Sequence, residues 1–206
     1  MRVGVVHNIA AGRRAESRGR AIARELSSGA RVLMPRSREE LGAVARELRD
    51  ARIDVLAISG GDGTLHATLS AFHAEYRDAP LPAIELLRGG TMNTVADSLR
   101  LPRSPKVLLE RVAARAEQSV SGLATLTRAT MACEGRLAFL FGIGVIPTFL
   151  RAYYETGRPS PVTASRVLAR AMIESVTGGD LFKRLTTRTP VEAHQLLGEP
   201  GCVRRA

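Results

Sequence analysis

The apolar run Val55-Leu56-Ala57-Ile58 leads directly into Ser59-Gly60-Gly61-Asp62-Gly63-Thr64, after which Leu65, Leu69, Phe72 and Tyr76 recur at helical spacing. A short run rich in apolar residues fits a strand buried on both faces. The glycines stop it, and the change to a period of 3.6 predicts a helix beyond Thr64. Asp-Gly is also a hairpin signal, but a hairpin needs period-two alternation after the turn, and the residues after Thr64 do not alternate. The reading is strand, glycine loop, helix. Backbone N–H groups in such a loop face outward with no Cβ in the way, beside the positive end of a helix. That is a phosphate cradle. Asp62 sits inside it, and an acid among phosphates is repelled unless it holds a cation or takes a proton, so Mg²⁺ is implied.

The rest of the N-terminal half repeats the alternation. Met1 to Val6 reads as a buried strand ending at His7-Asn8, and the loop through Gly12 leads to a helix from Ala15 to Leu26 with Ala21, Ile22 and Leu26 on its apolar stripe. Arg31 to Met34 is a second strand, and Ser37 with Glu40 forms a capping box for a helix carrying Leu41, Val44, Ala45 and Leu48. Leu81 to Leu87 is a fourth strand, and Lys106 to Ala116 a last helix. Strands and helices in this order predict an α/β fold, a Rossmann-like open parallel sheet with helices on both faces. Ligands of such sheets bind beyond the carboxyl ends of the strands. The loops at Asn8, Gly60 and Gly89 all follow strands, so all three belong to that rim. The third, Arg88-Gly89-Gly90-Thr91-Met92-Asn93, repeats the glycine, hydroxyl and helix-start pattern of the first cradle.

From about Glu117 the texture changes. Val120 to Cys133 alternates loosely, and Arg136 to Ile143 follows a Glu134-Gly135 turn, which predicts antiparallel strands. The expected division is a nucleotide-binding α/β domain over 1–116 and an incomplete β-rich second domain with helices over 117–206, the helices near Ile146–Thr156 and Ala164–Val176. The last thirty residues carry little periodic signal.

Composition excludes several classes. The chain of 206 residues is 45% hydrophobic and 24% charged, ordinary for a protein with a real core. Its net charge of +10 is almost wholly arginine, since lysine occurs only at Lys106 and Lys183. A basic surface suits anionic partners such as ATP or acidic headgroups. There is no helix-turn-helix, RNP or zinc pattern, so nucleic acid is not an expected partner. Cys133 and Cys202 form no framework, which fits a reducing cytoplasm. The start lacks the regions of a signal peptide. The longest uncharged run, Leu137 to Leu150, is broken by Gly142, Gly144 and Pro147 and is too short to cross a bilayer.

The three loops together resemble the diacylglycerol kinase catalytic family, which includes bacterial lipid kinases and sphingosine kinases. Gly60-Gly61-Asp62-Gly63-Thr64 stands as its G-G-D-G-T, and Gly90-Thr91-Met92-Asn93 with Ala96 as its G-T-x-N-x-x-A. Asn8 and Gly12 match the ends of its N-P-x-S-G loop, with Ile9 and Ala11 in place of proline and serine. G-G-D-G-T alone also occurs in NAD kinases, and the combination with G-T-x-N is more specific. The resemblance implies that Gly60, Gly61, Asp62, Gly63 and Thr64 wrap the ATP phosphates. It further implies that Asn8, Gly90 and Thr91 are nucleotide contacts, that Asn93 braces the second loop, and that Asp62 works with Mg²⁺ in catalysis.

The departures are specific. His66-Ala67 stand where members commonly carry Asn-Glu, Thr94 and Asp97 replace an acid and a basic residue, and Arg88 replaces a proline. A D-G-E-like segment thought to supply the proton-accepting acid has no counterpart in Gly178 to Ala206. The expectation is an ATP-dependent, cytoplasmic kinase that phosphorylates a lipid hydroxyl at the membrane surface, weak or inactive for want of that acid. The alternatives are an NAD kinase-like enzyme acting on a soluble nucleotide and a non-catalytic nucleotide-binding module. A homo-oligomer is open among the partners.

Overall fold

A computed structural model describes residues 1–9, 15–26, 29–90, 93–117, 125–133, 135–139, 145–155, 157 and 160–187. The chain forms two compact units, Met1–Leu140 and Phe141–Ala206. In the first, strands β1 (Val3–His7), β2 (Ala30–Leu33), β3 (Val55–Gly60) and β4 (Ala83–Arg88) alternate with helices α1 (Ala15–Glu25), α2 (Arg38–Asp50) and α3 (Asp62–Tyr76). Two further helices, α4 (Thr94–Ser98) and α5 (Pro105–Glu117), and a hairpin, β5 (Met131–Cys133) with β6 (Arg136–Ala138), complete it.

The sheet is parallel throughout, in the order β2-β1-β3-β4, with Val3 beside both Ala30 and Val55, and Val55 beside Ala83. This is the open α/β sheet expected from the alternation. Because successive side chains point to opposite faces, the central strands feed two cores. Val3, Val5, Val55 and Ala57 pack with Ile22 and Leu26 of the α1 segment and with Leu108 and Val112 of α5. Val6, Leu56 and Ile58 pack with Leu41, Ala45 and Leu48 of α2 and with Leu65, Leu69 and Phe72 of α3. Hence β1 and β3 are buried along their whole length, while the edge strands β2 and β4 are only partly covered.

Local signals set the helix boundaries. The Glu40 amide donates to Ser37 Oγ at 3.1 Å, and Glu40 Oε2 accepts from the Arg36 amide at 2.6 Å, so the capping box closes one residue before the cap. The stripe of α1 differs from expectation. Ala15, Gly19 and Ile22 are buried with Leu26, and Ala21 is exposed because an immediate neighbour on a helix points about 100° away.

The strands expected over Val120–Cys133 and Arg136–Ile143 are shorter among the described residues. Met131 pairs with Ala138 and Cys133 with Arg136, while residues 125–130 join no ladder. Residues 118–124 and 140–144 lie outside the described residues. The hairpin lies on α3, with Leu137 buried in the core and its amide donating to Ser70 Oγ at 3.0 Å.

The described part of the second unit is helical: α6 (Val145–Glu155), α7 (Pro161–Thr177) and α8 (Asp180–Thr186). The first two match the expected helices. The third is additional, and its Leu181 and Leu185, one turn apart, bury against Val167 with Phe149 and Ala171 alongside. Glu174 fixes its start, accepting from the Leu181 and Phe182 amides at 2.7 and 3.2 Å and from Arg170 Nε at 2.5 Å. Among the described residues no helix is long and apolar enough to cross a membrane.

His7 ties the first unit together at the carboxyl end of β1. It is fully buried, with Nε2 2.7 Å from the Ala15 carbonyl and Nδ1 2.8 Å from Ser59 Oγ. A carbonyl only accepts, so Nε2 carries the proton and Nδ1 accepts from the serine hydroxyl. The ring is thus neutral. Burial pushes its pKa below the usual 6.5, the Ala15 carbonyl opposes that, and the Arg18 charge adds to it. The unfolded chain therefore binds a proton that the folded chain resists. This stabilisation is complete above about pH 6.5 and is lost as pH falls through the lowered folded value. Thermal melts at about pH 7.5 and about pH 5.5 should show a larger drop for the wild type than for His7→Gln, which keeps a donor and an acceptor but does not titrate. Equal drops would show that His7 is not the group responsible.

Candidate functional site

The strand order reverses between β1 and β3: the chain leaves β1 toward β2 on one side and returns to place β3 on the other. Crevices at such a switch point are where open α/β sheets take ligands. The first cradle and the Asn8 loop emerge there side by side. The Asn8 amide donates to the Ser59 carbonyl at 3.0 Å, and its Nδ2 donates to Thr64 Oγ1 at 2.8 Å. The loop after β1 is therefore stitched to the first turn of α3.

Gly60 and Gly89 are glycines because neither has room for a Cβ, the first against the Thr64 side chain and the second against the Gly60 backbone. A Cβ on Gly60 would lie 2.3 Å from Thr64 Oγ1, and one on Gly89 would lie 3.0 Å from the Gly60 nitrogen. The Gly89 amide donates to the Gly60 carbonyl at 3.0 Å, so the two glycine loops touch main chain to main chain. Neither residue has a positive φ; among the described glycines that conformation belongs to Gly135, Gly157 and Gly178. Gly63 differs again, since a Cβ there would meet nothing within 4 Å. Its bare side faces open space.

Helix α3 starts at Asp62, with Gly61 as an extended N-cap. The Thr64 and Leu65 amides both reach the Gly61 carbonyl at 3.0 Å. The Asp62 and Gly63 amides, at the first two helical positions, have no acceptor within the helix. Asp62 itself reaches across to the second loop. Its Oδ2 accepts from the Thr94 amide at 2.8 Å and its Oδ1 from the Val95 amide at 3.2 Å. One carboxylate thus caps the N-terminus of α4, whose own N-cap residue, Asn93, makes no side-chain cap. Asn93 Nδ2 instead donates to the Gly90 carbonyl at 2.9 Å, closing the second loop on itself.

Two arginines hold this arrangement from outside. Arg88, with only 10% of its side chain exposed, donates to Asp97 Oδ1 at 2.7 Å and to the Leu101 carbonyl at 2.9 Å. The replacements at positions 88 and 97 are therefore partners. Arg18 Nη1 donates to the Gly89 carbonyl at 3.0 Å, bringing a cation from α1 to the rim.

Asn8, Gly60, Gly61, Asp62, Gly63, Thr64, Gly90 and Asn93 thus come together at one edge of the sheet, while Thr91 and Gly12 lie outside the described residues. Between the loops there is a recess of only about 10 Å³, lined by Gly61, Asp62, Arg88 and Asn93 among others, which is room for about one water. Anything larger must rest on the open side at Gly61 to Gly63. His66 lies one turn along α3, and among the described residues its side chain makes no bond to the rim. Among the described residues no three His, Cys, Asp or Glu side chains converge as a metal cluster. His7, Arg18 and Arg88 are the contributors that motif reading passed over. A histidine ending an apolar strand and an arginine in a proline's place are visible signals, whereas Arg18 is one arginine among many.

No curated protein matches this chain. Among solved structures, a diacylglycerol kinase from Bacillus anthracis str. Sterne is 18% identical, with a TM-score of 0.46 over 55% of this chain and 40% of that one. A second, candidate diacylglycerol kinase from the same organism is 18% identical, with a TM-score of 0.43 over 56% of this chain and 42% of its own. The chain spans about two fifths of the length of each. The diacylglycerol kinase catalytic domain matches residues 2–124, more than half of the chain and every loop of the rim. With its motifs gathered on one parallel sheet, the chain belongs to the diacylglycerol kinase catalytic domain family.

Proposed function

We propose that the chain binds Mg-ATP on this rim and acts, slowly, as a kinase toward a lipid hydroxyl such as that of diacylglycerol. The observation that carries the reading is the meeting of two glycine loops at the carboxyl ends of β3 and β4, beside the switch point, with the first α3 amides and the bare side of Gly63 on the same open side. In it, Gly60 to Thr64 wrap the phosphates, with Asn8, Gly90, Thr91 and Asn93 as further contacts and Arg18 as a nearby cation. Phosphoryl transfer needs positioning and charge neutralisation more than covalent chemistry, and these groups supply both.

Asp62 fits Mg²⁺ as a lone carboxylate. Each oxygen accepts one amide, which leaves acceptor capacity on both. Mg²⁺ is commonly held by one or two carboxylates, with substrate phosphates and water completing its shell. When bound, the ion would neutralise phosphate charge. The same two amide bonds favour a second reading, in which Asp62 works as a loop clamp and the protein binds nucleotide without turnover. Slow transfer is part of this reading because Gly178 to Ala206 hold no D-G-E-like segment, and losing a general base costs on the order of 10²–10⁴ in rate.

The domain scheme of this proposal keeps the nucleotide part at 1–116 and a second domain at 117–206, although the compact units divide after Leu140 and leave the β5–β6 hairpin with the first. In this proposal the protein is cytoplasmic and peripheral at a lipid surface, and the peripheral contact is supported by α6, where Ile146, Leu150 and Tyr154 recur at four-residue spacing and are exposed. Leu137, at the other end of the uncharged run, is buried in the first core and is not available for that contact.

Calorimetric titration should show Mg-ATP binding that weakens at least about tenfold in Gly61→Val, whose side chain would enter the cradle. Equal affinity in the two proteins would remove the site. With labelled ATP and diacylglycerol or sphingosine, turnover should stay well below about one per second, the lower end for kinases. Faster turnover would show that a base is present. Asp62→Ala should lose about 1–2 kcal/mol of stability in urea, since two α4 amides lose their acceptors, while Asp62→Asn keeps most of it and loses the Mg²⁺-dependent part of ATP affinity. An Asn variant with unchanged Mg²⁺ dependence would leave Asp62 a clamp alone. Flotation with anionic vesicles at low salt should carry the wild type and release Ile146→Asp/Leu150→Asp; no flotation of the wild type would end the membrane reading.

A further inference from the structure

A larger recess lies on the first unit away from the rim, bounded by α2, α3 and β6, with a volume of about 260 Å³. It exists because one flank of α3 is built from small residues. Ala67, Ala71 and Ala74 fall at i, i+4 and i+7, and Leu41 of α2 faces them. Where α2 and α3 meet through Leu48, Leu69 and Phe72 the space is filled. Beside the alanines it stays open.

The mouth of the recess is basic. Arg38 of α2, His66 of α3 and Arg136 of β6 all line it, and among the described residues none of these side chains makes a hydrogen bond or ion pair. The one acid in the lining, Glu75, is already taken by Arg46 at 2.6 Å. Ser70 is spent as well, donating to the His66 carbonyl at 2.8 Å and accepting from the Leu137 amide at 3.0 Å. Of the acids opening α2, Glu40 is held by the Arg36 amide. Arg38 is the first residue of α2, where the helix dipole disfavours a cation and favours an anion. An anion seated there relieves that repulsion and meets two guanidinium groups, whose planar forks suit carboxylate and phosphate.

We propose that this recess binds a single-chain anionic amphiphile, its carboxylate or phosphate head held by Arg38 and Arg136 and its hydrocarbon laid on the alanine flank. Apolar walls with a few convergent polar groups are the usual build of a small-molecule site. A volume of roughly nine waters holds the head and the first few methylenes, and a longer chain would leave by the open side. The site is separate from the rim. His66 stands about 6 Å and Ala74 about 18 Å along the α3 axis from Asp62 at the rise of an α-helix.

The test is calorimetric titration of the full chain with octyl phosphate, octanoate, octanol and inorganic phosphate, with and without Mg-ATP. The wild type should bind octyl phosphate and octanoate at one site, at least about tenfold more tightly than octanol or inorganic phosphate. Saturating Mg-ATP should leave that binding unchanged. Arg38→Ala/Arg136→Ala removes only exposed side chains, so its melting temperature should hold while its affinity for both anions falls at least about tenfold. Ala71→Leu should narrow the recess and weaken the amphiphiles more than inorganic phosphate. Equal binding of octanol would overturn the anionic head, and equal binding of inorganic phosphate the apolar flank. An unaffected double arginine variant, or no binding up to about 5 mM, would overturn the site itself. Competition with Mg-ATP would move the ligand to the rim and likewise overturn it.

Discussion

Backbone contact between Gly60 and Gly89 sets the distance on which the rim depends. Two adjacent parallel strands end there, and their exit loops can run side by side only if no side chain separates them. A Cβ at Gly89 would fall 3.0 Å from the Gly60 nitrogen, and one at Gly60 would strike Thr64. With both absent, the first turn of α3 folds over the end of β3, and the Asp62 carboxylate comes within reach of α4. The closeness demanded of these glycines is steric. It is not the left-handed backbone that glycine serves at Gly135 and Gly178.

The same economy appears at both short helices. Helix α4 has five residues and α8 has seven, too few to be stable alone. Each begins on amides accepted by a carboxylate from a preceding longer helix, Asp62 of α3 for α4 and Glu174 of α7 for α8. Arg170 holds the Glu174 carboxyl below the usual carboxylate range, with the Phe182 and Leu181 amides assisting, which keeps the cap charged. For α8 the result is structural. For α4 it couples the shape of the second loop to an acid in the first, so any group that draws on Asp62 also pulls on the second loop.

Arginine is the chain's common cation, and its placements separate into three uses. Arg88 is sunk into the rim, where its two terminal nitrogens reach a carboxylate and a carbonyl. Arg46 and Arg49 share Glu75 between α2 and α3. Among the described residues Arg38 and Arg136 have no side-chain partner around an apolar recess, and that contrast separates them from the general basic surface.

The sequence by itself determined the parallel sheet, because apolar runs that stop at glycines and resume at a period of 3.6 have few other ways to bury themselves. It also determined the helices bearing Leu41, Leu65 and Leu69, the capping box at Ser37, and which loops share the carboxyl edge. What it did not determine depends on distances between parts far apart along the chain. The two amides whose bonds the Asp62 carboxylate accepts lie more than thirty residues away, at Thr94 and Val95, and are invisible to spacing. Arg18 reaching Gly89, Arg88 pairing with Asp97, and the hairpin delivering Leu137 to the α3 core were likewise decided only by the tertiary structure. Helix α8 belongs with them: a single pair of leucines gives no period, and burial against Val167 supplies the free energy that its local sequence lacks.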